Sequence, residues 1–201
     1  MSDTTSNAFL DGRVMARQPA RGIRAGVDSV LVAAAVPARA GDTVLELGCG
    51  VGVASLCLLS RVSVHATGVE LQPSYAALAK RNAQENSLPL EVVTADLAQL
   101  PKELCARSFD HVIMNPPYFG PGTPSTDPGR DTAMRADTAL SEWLDQGLKR
   151  LKPKGWLTLI HRTEALQSVL SGLGSRVGCI EIKPLIPRPN RDASRFILRA
   201  R

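Results

Sequence analysis

The chain has 201 residues, 44% hydrophobic and 21% charged, which is the composition of an ordinary globular domain with a full core. No apolar run approaches the roughly 18–20 residues of a membrane helix, and the polar opening MSDTTSNAFLDGR lacks a signal-peptide core, so no membrane partner and a cytoplasmic location are expected. The net charge of +5 is uneven: residues 1–25 carry four Arg against two Asp, residues 183–201 carry six Lys and Arg against one Asp, and the middle is slightly acidic, a layout that suits a polyanion such as RNA.

Four cysteines (49, 57, 105 and 179) and three histidines show no metal-ligand spacing, so no metal is expected. Residues 1–25 read as a flexible, basic N-terminal arm, with Arg13 to Arg24 forming either a short hairpin over the domain or a free arm. Residues 26–201 read as one domain. Asp28 or Ser29 can cap a helix that runs to about Val36 and stops at Pro37. Thr43 to Leu47 is a short buried strand leading into Gly48-Cys49-Gly50-Val51-Gly52, and Val53 to Ser60 is a helix. A strand, a glycine turn and a helix open a nucleotide-binding βαβ unit, although the spacing is GxGxG and not GxGxxG. Glu46, two residues before the first glycine, is placed to face the mouth of the pocket.

Val62 to Val69 is the second strand and ends at Glu70, an acid suited to accept from both hydroxyls of a ribose. Pro73 opens a helix that stops at Asn86. Leu90 to Thr94 is the third strand. It ends at Asp96, which can accept from an exocyclic amino group, and Leu97, which can cover a purine face. Phe109 to Met114 is the fourth strand. Glu46, Glu70, Asp96 and Asn115 then all fall near carboxyl ends of successive strands, which share one crevice in an open parallel sheet.

The fourth strand runs into Asn115-Pro116-Pro117-Tyr118. Two prolines fix two φ angles and remove two backbone donors. They leave a stiff rim of acceptors, the Asn115 side-chain oxygen and the carbonyls around Pro116, beside a flat tyrosine ring. Such a rim suits a planar group carrying an NH2. Residues 119–137 form a Pro- and Gly-rich loop, read as substrate-facing, in which Arg130 and Arg135 either touch phosphate or are simply solvated. Thr138 to Leu151 is an amphipathic helix, Pro153-Lys154-Gly155 a turn, Trp156 to Ile160 the fifth strand and Glu164 to Leu173 a helix. Ile180 to Ile186 and Ser194 to Ala200 are strands joined by a short turn holding Arg188 and Arg191, so they pair antiparallel.

This layout resembles the class I methyltransferases that use S-adenosyl-L-methionine. ELGCGVG (Glu46 to Gly52) resembles their cofactor loop, Glu70 their ribose acid, Ala95-Asp96-Leu97 their adenine contact, and NPPY the signature of enzymes that methylate planar amino nitrogens. A closer resemblance spans nearly the whole chain. GIRAGVDSVLVAAAV, NPPYF with GRDTAMR, KPKGWLTLIHR and KPLIPRPNRDASRFILRAR resemble the bacterial tRNA (adenine-N6) methyltransferases of the small-domain group, which act at adenine 37.

The resemblance implies an α/β, Rossmann-like domain with a seven-stranded, mostly parallel sheet, an antiparallel last strand and helices on both faces. It implies a cofactor site at Asp28, Glu46, Gly48, Cys49, Gly50, Gly52, Glu70, Leu71, Asp96, Leu97 and Asn115, with Asp28 helping to close that site or capping its helix. It implies catalysis by Asn115, Pro116, Pro117 and Tyr118, and substrate contacts from Phe119, Arg130, Arg135, Arg188 and Arg191. The expected partner is a nucleic acid, tRNA, and the protein is a monomer or a homodimer. Three other readings remain open at this point: a protein glutamine N5-methyltransferase, a ribosomal RNA guanine N2-methyltransferase, and an inactive RNA-binding protein that keeps the fold.

Overall fold

A computed structural model describes residues 3–118 and 140–201. The expected 119–137 loop, with Phe119, Arg130 and Arg135, lies outside the described residues. So do Thr138 and Ala139 of the expected amphipathic helix.

Seven strands form the main sheet: β3 (Thr43–Leu47), β4 (His65–Glu70), β5 (Leu90–Thr94), β6 (Phe109–Met114), β7 (Leu151–Arg162), β8 (Ile180–Leu185) and β9 (Arg195–Ala200). Their spatial order is β5-β4-β3-β6-β7-β9-β8. The first five are parallel, and β9 runs antiparallel to both of its neighbours. The order reverses at β3, which places a crevice at the carboxyl ends of β3 and β6.

Side-chain alternation divides the core between two faces. Val44 and Ile113 face α1 (Val27–Ala35), α2 (Val53–Leu59) and α3 (Pro73–Glu85). Leu45, Leu47, Val112 and Met114 face α5 (Leu140–Arg150) and α6 (Leu166–Leu173). Covering both faces explains why β3 reads TVLEL with nearly every side chain buried. Glu46 falls on the α1–α3 face with Val44, and that parity decides what its carboxylate meets. A short helix, α4 (Lys102–Cys105), is too brief to show an apolar period in the sequence. Pro184 sits in β8 because β8 is an edge strand, where a missing donor costs no ladder bond.

Two elements differ from expectation. The turn expected at Pro153-Lys154-Gly155 is a bulge within one long strand: Phe109 pairs with Leu151 but His111 pairs with Trp156, and Lys154 has a φ of 66°. Of the two readings of Arg13 to Arg24, a short hairpin over the domain or a free arm, the first holds. The hairpin reaches back into residues 1–12, read as flexible: β1 (Thr4–Phe9) and β2 (Val14–Pro19) pair antiparallel. Its alternation is the cause. Val14 and Ala16 are fully buried, while Met15 between them points outward.

Two side-chain amides of α3 and its carboxyl end take the place of a strand partner for β2. Asn82 accepts from the Arg17 N–H at 2.8 Å and donates to the Arg17 carbonyl at 3.0 Å and the Val51 carbonyl at 2.9 Å. Asn86 does the same for Met15, at 2.8 and 2.7 Å. Asn82 is wholly buried, so truncating it strands donors and acceptors away from water. Asn82→Ala is expected to cost about 2 kcal/mol in urea unfolding and to release the hairpin to protease before the rest of the domain. Unchanged stability and cleavage would show that the amide does not hold the hairpin.

Candidate active site

The crevice at the carboxyl ends of β3 and β6 contains two adjoining cavities that share Ile23, Gly48, Gly50, Tyr75, Asn115 and Pro117. One extends toward β4 and β5 and is mostly apolar, with Leu71, Leu97 and Trp143 beside Glu70 and Asp96. The other extends toward β7 and β9 and is charged, with Asp28, Tyr118, Arg162 and Arg195.

All three loop glycines have positive φ, from 55° to 87°, a region that disfavours side chains. Gly48 has a second reason to lack a side chain: a Cβ there would lie 2.4 Å from the Trp143 ring. The indole of α5 therefore closes directly over the loop. Cys49 is 5% exposed and packs under Gly68, where a Cβ would meet its Sγ at 2.7 Å. Burial, together with the Glu46 and Glu70 carboxyls, pushes its thiol well up, so it is a packing residue and not a nucleophile.

Glu70 ends β4 with both carboxylate oxygens engaged. The Gly50 N–H donates to Oε2 and the Gln72 N–H to Oε1, each at 2.8 Å. The carboxylate lines the apolar cavity and has lone pairs beyond those the N–H groups use, as a ribose diol needs. Burial raises its pKa, and the Gln72, Gly50 and Leu71 N–H groups oppose that. Asp96 accepts from the Ala98 N–H at 2.9 Å, which caps a 3₁₀ turn over Leu97–Gln99 and sets Leu97 against the apolar cavity. Leu71 is 39% exposed on the same wall.

Glu46 borders the charged cavity from inside its wall, only 4% exposed. Its Oε2 accepts from the Ser55 N–H at 3.0 Å and from the Ser55 hydroxyl, so it ties β3 to the first turn of α2 instead of facing the mouth. Burial pushes its pKa up to about 7, with the Ser55 bonds pulling the other way.

The NPPY segment follows β6 at the charged cavity. Its tyrosine is held on three sides. The Tyr118 hydroxyl donates to Asp28 Oδ2 at 2.9 Å, and the Asn115 Oδ1 lies 3.5 Å from that hydroxyl. His161 meets the ring edge-on, with centroids 5.0 Å apart. The Arg162 guanidinium carbon sits 5.1 Å from the ring centroid and covers one face. His161 Nδ1 accepts from the Arg162 N–H at 2.9 Å, and burial lowers its pKa, so the ring is neutral. Burial and the neighbouring Asp28 raise the Tyr118 pKa above its ordinary value, so the phenol stays protonated and is no general base.

Asp28 does not cap its helix. The N-cap of α1 is Gly26, with no side-chain hydrogen bond. The carboxylate instead receives Tyr118 and the Arg195 guanidinium, which forms an ion pair with Oδ1. Arg188 and Arg191 lie exposed in the turn before β9, outside both cavities. Arg162 and Arg195 stand nearer the site, and the sequence carries a signal for both. Arg162 ends a parallel strand, and Arg195 begins the antiparallel one, so both fall at the crevice. Among the described residues no cluster of His, Cys, Asp and Glu could hold a metal ion, and no helix is long and apolar enough to cross a membrane.

The family model for the methyltransferase small domain matches residues 24–179. A Shewanella halifaxensis protein named tRNA1(Val) (adenine(37)-N6)-methyltransferase is 34% identical over 162 residues, which is 78% of this chain and 66%, just under two thirds, of that protein. A Shewanella baltica protein of the same name is 31% identical over 88% of this chain and 76% of its own length. Among solved structures, a T. thermophilus 16S rRNA N2 methyltransferase in complex with AdoMet and guanosine superposes with a TM-score of 0.71 at 19% identity, covering 98% of this chain and 50% of that one. A predicted O-methyltransferase of Agrobacterium tumefaciens gives a TM-score of 0.69 at 27% identity over 86% of this chain and 79% of its own.

The clamp on Glu46 has a measurable consequence. Its folded pKa near 7 lies above the ordinary 4.5, so the folded chain keeps a proton that the unfolded chain releases as pH rises from about 4.5 to about 7. This carboxyl's contribution to stability is present at low pH and is lost across that window. Glu46→Gln is expected to raise the melting temperature relative to wild type more at pH 8 than at pH 5. A difference that did not change with pH would contradict the buried, proton-holding carboxyl.

Proposed function

We propose that this chain, which belongs to the methyltransferase small domain family, methylates the N6 amino nitrogen of an adenine in tRNA, at a site of the anticodon-loop position 37 type. It is an S-adenosylmethionine-dependent methyltransferase. The apolar cavity fits that cofactor. Gly50 lines both cavities and a Cβ there would project into their open space, Glu70 offers lone pairs to a ribose, and Asp96, Leu71 and Leu97 line the adenine end. Bound there, S-adenosylmethionine supplies an electrophilic sulfonium methyl group.

The observation that carries the reading is the proton count at Tyr118. The phenol has one proton and two nearby acceptors. Asp28, at 2.9 Å, takes it; Asn115 Oδ1, at 3.5 Å, is too far for a full bond and keeps its capacity for another donor. With the Pro116 carbonyl it offers two acceptors on a rigid rim, the pattern that an amino group with two N–H bonds satisfies. Holding both N–H bonds draws the nitrogen lone pair out of conjugation and aims it across the rim. Tyr118, a flat ring on the same rim, stacks the base once it leaves its neighbours. No protein base is required, because the nitrogen attacks first and loses its proton afterwards. Catalysis rests on orientation and placed acceptors. The relatives' names and the basic chain ends support tRNA as the carrier of that adenine.

Transfer from methyl-labelled S-adenosylmethionine to separated tRNA, ribosomal RNA and protein fractions, followed by nucleoside and amino-acid analysis, tests the reading. Label in tRNA as N6-methyladenosine is expected. Label as N2-methylguanosine or N5-methylglutamine would overturn it. In the same assay Asn115→Ala is expected to lower kcat by about 100-fold or more with cofactor affinity within about threefold. An equal loss of both would mean that Asn115 serves the cofactor and does not seat the amino group.

A further inference from the structure

Arg162 and Arg195 are register partners, directly opposite each other across the antiparallel β7–β9 pair. Two like charges in that position destabilise a sheet. Only one of them is neutralised. Arg195 forms an ion pair with Asp28, whereas Arg162 has no carboxylate within ion-pair distance among the described residues. Its guanidinium lies on the Tyr118 ring, and its side chain is exposed. A ring contact at an exposed site is a weak return for an unpaired cation beside another cation. Among the described residues Arg24, on the rim of the same cavity, donates to neutral oxygens, those of Pro19 and Asn7. The charged cavity therefore carries surplus positive charge beside the rim that seats the amino group, and its planar forks match the oxygens of a phosphodiester.

We propose that Arg162, with Arg195 behind it, binds a backbone phosphate of the RNA next to the base held at Asn115 and Tyr118. This rests on the RNA reading above. Arg162 sits over one face of Tyr118, beside the rim where the base is held. Base and neighbouring phosphate are then held at adjacent points of one rim. A protein glutamine has no counterpart to the phosphate, so the pair selects nucleic acid over a side-chain amide of the same shape. Arg162 is a positioning residue whose charge does the binding.

The test measures kcat/KM for methyl transfer to unmodified tRNA against salt concentration, with cofactor affinity measured separately by calorimetry on the full chain. Arg162→Ala is expected to lower kcat/KM about tenfold and to flatten the log–log salt slope by about 0.7–0.9, the change for one lost phosphate contact. Arg162→Lys is expected to restore the slope, because it restores the charge. Cofactor affinity should stay within about twofold, since a phosphate contact on the RNA side leaves the cofactor cavity untouched. An unchanged slope would overturn the inference. A fall in cofactor affinity matching the fall in kcat/KM would also overturn it, by assigning Arg162 to the cofactor's carboxylate. If wild type labels tRNA and the slope does not move, only this inference fails. If wild type labels no RNA, the RNA reading fails and takes the inference with it.

Discussion

The site depends on the carboxylate of Asp28, which joins three parts of the chain that are far apart in sequence. It comes from the first turn of α1, before the glycine loop. It receives the hydroxyl of Tyr118, from the end of β6, and the guanidinium of Arg195, from the start of β9. Its side chain is 16% exposed, and a cation and a hydroxyl donor both reach it. Without Asp28, two arginines would face each other with no counter-ion, and the Tyr118 hydroxyl would turn to Asn115. The acceptor that an amino group needs would then be occupied.

This bond also explains why the crevice divides into two halves. Toward β4 and β5 the polar groups are carboxylates fixed by backbone N–H groups, Glu70 by Gly50 and Gln72, and Asp96 by Ala98. Among the described residues those acids are held without cations, and their spare lone pairs suit hydroxyl and amino donors. Toward β7 and β9 the polar groups are guanidiniums, held by one carboxylate and one aromatic ring, and they suit anions. Asn115 and Pro117 line both halves, so under the proposed function the reacting nitrogen and the methyl donor meet at the boundary. Neutral donors on one side and a polyanion on the other match what the two reactants present.

Much of this is legible in the chain. β3, β5 and β6 fall where their apolar runs predict, and for β3 and β6 burial on both faces makes the run nearly continuous. Gly48, Glu70 and Asp96 lie at the crevice because the carboxyl ends of parallel strands share it. The roles of Asp28 and Glu46 are harder to read. Each falls in its expected segment, but its bonding partner comes from packing: Ser55 across a helix–strand contact, and Tyr118 and Arg195 across the sheet end. Arg195 escapes a count of carboxyl ends, because an antiparallel strand presents its first residue at the crevice. The hairpin of residues 4–19 is obscured by its arginines. Its alternation is present in Val14 and Ala16, but its partners are the amides of Asn82 and Asn86, and helix residues give no sign in sequence of serving as a strand edge.

The central claim is that Asp28 holds Tyr118 so that Asn115 remains open to the substrate. A double-mutant cycle on kcat/KM with Asp28→Ala and Tyr118→Phe tests it most directly, because Tyr118→Phe removes only the hydroxyl. The account predicts that Tyr118→Phe lowers kcat/KM about tenfold in the wild-type background, the value of one well-made hydrogen bond to a charged group, and does not lower it when Asp28 is already absent, where the hydroxyl would otherwise occupy Asn115. Equal losses in both backgrounds would contradict it and would mean that the two residues act independently.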